Sequence, residues 1–177
     1  MRLGVADHLG WAVVVTASEA GAVVDRRRIE LVEPGVTPAP IHYKSARLDV
    51  AATAALVAEV RASVARATAA AFAELPEPIV SIALRAWPLD FPEDIAVQRK
   101  APWEARADAV MYRQILSELA HERGWEVHVY DARAVEAQAA RALGERASEI
   151  LHGPRERLGP PWTKDHRTAL AAAIMSG

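Results

Sequence analysis

From Leu3 to Val15 the chain is almost continuously apolar, interrupted by Asp7, His8 and the glycine at Gly10. An apolar run that ends on a carboxylate, turns at a glycine and resumes predicts two strands of a hairpin. After Gly21, the stretch Ala22–Val32 predicts a third antiparallel strand. Glu33–Ser45 carries Pro34, Gly35, Pro38 and Pro40, which forbid a regular helix and disfavour a central strand, so a surface loop is expected. The pattern then changes period. Between Asp49 and Leu75, Leu56, Val60, Val64 and Ala67 or Ala71 recur at helical spacing behind an Asp49 N-cap, and Pro76 and Pro78 end the helix.

Ile79–Leu84 is short and nearly all apolar, as expected of a strand covered on both faces. Pro102 opens a helix through Arg123 with Ala109, Tyr112, Ile115, Leu116 and Leu119 on its inner face and Gly124 as its stop. Trp125–Tyr130 reads as a strand. Asp131 is expected to cap a helix over Ala132–Leu143, with a second piece reaching Leu151. Gly153–Pro161 reads as a loop, and Thr163 caps a final helix to Met175. Three antiparallel strands followed by parallel strands joined through crossover helices define an α/β mixed sheet with helices on both faces. A single domain over residues 1–177 is expected, since a chain of 177 residues buries a core without staples.

Composition narrows the function classes. With 51% hydrophobic and 25% charged residues, the chain reads as an ordinary soluble globular protein. The absence of cysteine removes disulfides, thiolate nucleophiles and cysteine-bound metals together. No apolar run approaches the roughly 20 residues that cross a bilayer, and no signal segment is recognisable, so a cytoplasmic location is expected. A formal net charge of −2 gives no global attraction for polyanions, so nucleic-acid binding must rest on local basic patches.

Most candidate residues also have a purely structural reading. Asp7 precedes a glycine turn, where a carboxylate commonly accepts turn hydrogen bonds. Asp165 lies in the first turn of its helix, where the dipole stabilises it by about 0.3–1 kcal/mol without any function. Asp131 is placed as a cap. Arg26, Arg27 and Arg28 alternate along a strand and form a basic edge that discourages edge-to-edge pairing. Trp87, Trp103, Trp125 and Trp162 stand at element ends, suited to covering the core or an interface.

Three segments carry a family resemblance. The opening Leu3–Val15, the segment Tyr130-Asp131-Ala132-Arg133-Ala134-Val135 and the closing Lys164-Asp165-His166-Arg167-Thr168-Ala169-Leu170-Ala171 resemble the first hairpin, the entry to the penultimate helix and the final acidic helix of RuvC-type Holliday junction resolvases, within the RNase H-like superfamily. The resemblance spans nearly the whole chain. It implies an RNase H-like fold and a nuclease in which two divalent ions about 4 Å apart clamp the reacting oxygens of a phosphodiester, with Mg2+ or Mn2+ as cofactor and branched DNA as partner; a homodimer is also expected.

Carried over residue by residue, it makes Asp7 and Asp165 catalytic carboxylates and metal ligands. The glutamate expected at the end of the central strand falls near Leu84 or Arg85, and the second acid of the final helix falls on Thr168. The acidic site is therefore depleted. His8, His166 and Asp131 are candidates for rebuilding it, with His166 joining Asp7 and Asp165 as the expected ligand set. Arg85, Arg99, Lys100, Lys164 and Arg167 are the candidate contacts to a nucleic-acid backbone.

Two functions follow, a metal-dependent nuclease acting on branched or structured DNA, and a catalytically inactive RNase H-like module for nucleic-acid binding or protein assembly. Geometry separates them: Asp7, Asp165 and a third carboxylate within about 5 Å of a common point make a metal site, whereas Arg85 at that point abolishes it. An actin-like ATPase also opens on a strand-end aspartate and a glycine turn, but its second phosphate-binding glycine loop is not visible here.

Overall fold

The computed structural model describes residues 1–177. Its centre is a five-stranded sheet in the order β3-β2-β1-β4-β5, formed by β1 (Arg2–Asp7), β2 (Trp11–Ala17), β3 (Val23–Glu30), β4 (Ser81–Arg85) and β5 (Glu126–Tyr130). β2 runs antiparallel to β1 and β3, with Val5 opposite Val14 and Val13 opposite Arg28. β1, β4 and β5 are parallel, with Leu3 beside Ile82 and Leu84 beside Val129. This order and these directions are the RNase H-like topology expected from the sequence.

Eight helices accompany the sheet: α1 (Pro40–Lys44), α2 (Val50–Ala73), α3 (Ile95–Gln98), α4 (Glu104–Glu122), α5 (Val135–Leu143), α6 (Ala147–His152), α7 (Pro154–Leu158) and α8 (Lys164–Met175). Side chains alternate across each strand, so the sheet divides two cores. Leu3, Val5, Val14, Ile82 and Leu84 join Val60 and Val64 of α2 and Tyr112 and Leu116 of α4 on one face. Ala6, Val13, Val15 and Ala83 join Val135 and Ala139 of α5 and Ala169–Ala173 of α8 on the other.

The two faces are packed differently. α8 presents mainly alanines and lies so close to β1 that a Cβ built on Gly4 would sit 1.8 Å from the carbonyl oxygen of Ala169. Only glycine fits there. α8 runs antiparallel to β1, so this contact also brings its first turn to the C-terminal end of the strand, beside Asp7. No helix is long and apolar enough to cross a membrane.

Several local expectations need correction. Residues 33–45 are not all loop: α1 begins at Pro40, and α7 begins likewise at Pro154 inside the expected loop over 153–161. Proline is well suited to a first helical turn, where its missing N–H costs nothing. Asp131 does not cap α5 directly. Its Oδ1 accepts from the Arg133 amide at 2.8 Å in the turn before the helix, which starts at Val135. On α2 the buried stripe includes Thr53, Val57, Val60, Val64, Thr68 and Phe72, with Leu56 half-buried. Asp49 caps α2 as expected, accepting from the Ala52 amide at 2.7 Å.

Candidate functional site

The C-terminal ends of β1 and β4, together with the first turn of α8, bring Asp7, Arg85 and Asp165 together. Asp7 is the last residue of β1 and is 3% exposed. Strand alternation continues the Leu3–Val5 face through Asp7, which therefore meets α4. There Arg113 donates from Nε to Asp7 Oδ2 at 2.9 Å. The same guanidinium donates from Nη1 to the Ala86 carbonyl at 3.3 Å.

Arg85 ends β4 and is the one of the two residues at the expected glutamate that faces the acids. Leu84 is fully buried in the α2/α4 core, while the Arg85 guanidinium reaches between the two acids, with Nε 3.7 Å from Asp7 Oδ1 and Nη2 4.0 Å from Asp165 Oδ1. These separations are ionic but too long for hydrogen bonds. Asp7 Oδ1 and Arg85 Nε are accordingly both buried without a hydrogen-bond partner. Asp165 Oδ2 lies 3.0 Å from His8 Nε2, and His8 stacks on Trp11 with ring centroids 4.0 Å apart.

Two carboxylates are thus interleaved with two guanidiniums, and the charges cancel within the site. With an effective dielectric near 20, opposite unit charges 4 Å apart attract by about 4 kcal/mol, and a divalent ion set at that distance from a guanidinium is repelled by about twice that. No cluster of three or more His, Asp or Glu side chains able to hold a metal ion occurs anywhere in the chain. The donor set does not fit a two-metal clamp.

His166 in particular does not complete the expected ligand set. Its Nδ1 accepts from the Thr163 amide at 3.2 Å and lies 2.9 Å from Thr163 Oγ1, closing a capping box at the start of α8. Burial, assisted by the Arg26 charge and opposed by Asp165, holds its imidazole below the usual histidine range. Thr168, where the second acid was expected, is buried. Asp131 is engaged in its own turn.

The candidate backbone contacts divide into engaged and free groups. Arg99 donates to the carbonyls of Ser45 and Leu48 and pins the end of α1. Arg167 donates to Glu136 at 2.9 Å, tying α8 to α5. Lys100 and Lys164 are exposed, and neither forms an ion pair, whereas Arg85 is held between the acids. Around the centre, the Tyr130 hydroxyl donates to the Val5 carbonyl at 2.6 Å. Burial pushes its phenol up to about 12 despite the pull of Arg85.

Sequence reasoning missed Arg113 and Trp11. Arg113 falls beside the apolar stripe of α4, directly after the buried Tyr112, and an arginine bordering such a stripe is the available signal that a buried acid lies opposite. Trp11 follows the hairpin glycine immediately, close enough to cover the strand end. Asp108, a buried acid of α4, was also missed. It accepts from the amides of Ile41 and His42 at 3.1 and 2.9 Å and caps α1. Burial raises its carboxyl, and those two hydrogen bonds pull it back.

Fold and site together define an α/β protein with an RNase H-like mixed sheet and a charge-compensated acidic pair at the strand ends. No protein-family model matches the chain, and no curated protein matches it. Among solved structures it is similar to Thermus thermophilus RuvC in complex with a Holliday junction substrate, at 12% identity and a TM-score of 0.48, covering 98% of this chain and 91% of that one. It is also similar to a second Thermus thermophilus RuvC structure, at 16% identity and a TM-score of 0.44, covering 97% of this chain and 90% of that one. At these identities the similarity concerns the fold.

Proposed function

We propose that this chain is a catalytically inactive RNase H-like module that binds branched or structured nucleic acid without hydrolysing it. The observation that carries this reading is the Arg85 guanidinium set between Asp7 and Asp165, with Arg113 on the far oxygen of Asp7. A metal-dependent nuclease needs carboxylates whose charge is available to cations. Here that charge is already neutralised by groups that cannot dissociate.

Nucleic-acid binding is the partner class favoured by this scaffold's likeness to RuvC in complex with a Holliday junction and by the unpaired Lys100 and Lys164. A single domain over 1–177, a homodimer and a cytoplasmic setting belong to the same proposal. The test is incubation with a labelled four-way junction and a labelled single strand, with Mg2+ or Mn2+ and at low salt. Retention of either DNA without cutting is expected. Metal-dependent cleavage that disappears in Asp7→Ala overturns the reading in favour of a nuclease.

A further inference from the structure

On the α8 face, β2 and β3 extend past the helix and leave a cleft of about 500 Å3 beside the acidic pair. Trp11, Val13, Arg26 and Arg28 of the strands line it, together with Thr163 and Asp165 at the entrance to α8. The alternation that turns Val13 to this face turns Arg26 and Arg28 the same way, since Val13 pairs with Arg28 and Val15 with Arg26.

The two arginines have different duties. Arg26 is fully engaged: it donates to the carbonyls of Leu158, Gly159 and Pro161 at 2.8, 2.9 and 2.6 Å and fixes the cleft against the segment before α8. Arg28 is not. Its Nη2 lies 3.1 Å from Glu30, but both side chains are more than half exposed, and such a pair exchanges readily with another anion. The Arg28 guanidinium rests over Trp11, 4.5 Å from the ring centroid, while His8 stacks against the same indole. Lys164 stands exposed at the α8 entrance. The one carboxylate facing the cleft from α8, Asp165, already has His8 Nε2 at 3.0 Å on one oxygen and the Arg85 guanidinium at 4.0 Å from the other.

We infer that this cleft binds an unpaired stretch of nucleic acid, with a base stacked on Trp11 in place of the Arg28 guanidinium and the flanking phosphates on Arg28 and Lys164. The inference rests on the nucleic-acid-binding reading above and names the part of the ligand and the residues that hold it. Every base has a π face, so an aromatic plane beside mobile cations suits a single strand without regard to sequence. A duplex offers no free base to such a plane.

The test uses the full chain and a fluorescein-labelled oligothymidylate, followed by anisotropy and by quenching of tryptophan fluorescence. Arg28→Glu is expected to weaken binding by about tenfold and to flatten the salt dependence by roughly one phosphate contact. Trp11→Leu is expected to weaken it by about tenfold while Trp11→Phe retains it. Arg106→Glu, an exposed change on α4, serves as the control and leaves binding unchanged. If Trp11→Leu does not fold, Arg28→Glu, on an exposed side chain, still decides.

Wild-type binding that survives both Arg28→Glu and Trp11→Leu overturns the cleft and leaves the nucleic-acid reading intact. Competition by polyglutamate as effective as by oligothymidylate overturns the stacked base. Binding to neither the single strand nor a four-way junction overturns both readings.

Discussion

The acidic pair at the strand ends and the cleft beside it contain the same side-chain type in opposite states. At the strand ends, Arg85 and Arg113 are held by Asp7 and Asp165 in a neutral cluster. Along β3, Arg28 is exposed and only loosely paired. A guanidinium compensated under low solvent exposure fixes structure, because separating it from its acid leaves a buried charge unpaired. A guanidinium at the surface contributes little to stability and is free to meet a ligand. The position of an arginine relative to a buried carboxylate therefore indicates its work better than its place in a basic run.

The largest test of this contrast acts on what brings the two regions together. Gly4→Val forces a side chain into the Ala169 carbonyl and is expected to cost more than about 4 kcal/mol, with loss of α8 protection in hydrogen exchange. Arg113→Ala leaves Asp7 buried with only the distant Arg85, and is expected to cost about 3–5 kcal/mol in denaturant titrations. Arg28→Ala should stay within about 0.5 kcal/mol. Equal effects for the two arginines would erase the distinction.

Arg85→Glu sharpens the comparison by placing a third carboxylate between Asp7 and Asp165. Mn2+ should then raise the melting temperature of the variant, by an amount corresponding to about 2.7 kcal/mol at a hundredfold excess over its dissociation constant. The wild type should be unmoved. Tyr130→Phe removes the hydrogen bond to Val5 at an expected cost of about 1 kcal/mol.

The smallest effect concerns pH. The His166 imidazole is held below its ordinary value of 6.5, so the unfolded chain binds more protons than the folded one as pH falls. Its contribution is present above that value and is lost as pH drops through the lower folded value. His166→Gln keeps a capping side chain and should remove this part of the acid destabilisation, seen as a flatter difference between denaturation midpoints.

The sheet was legible because its strands carry unambiguous signals. The glycine hairpin after Asp7 and the nearly all-apolar run ending at Leu84 fix the two strands that carry the site. The short helices α1 and α7 were hidden by their own prolines, which act as breakers within an element and as starters at its first turn. Asp7, Arg85 and Asp165 were legible as a set through the family resemblance. Arg113 was not, because its meeting with Asp7 depends on where α4 crosses the sheet, and a place beside the apolar stripe signals an acid opposite without saying which one.

The backbone contact between Gly4 and Ala169 also limits how the molecule can respond to a partner. With the helix resting on the strand itself, α8 has no cushion of flexible side chains along which to slide. The side chains near Asp165 that have room to rotate are the long, exposed ones, Arg28 and Lys164, set over a helix that is seated on the strand itself.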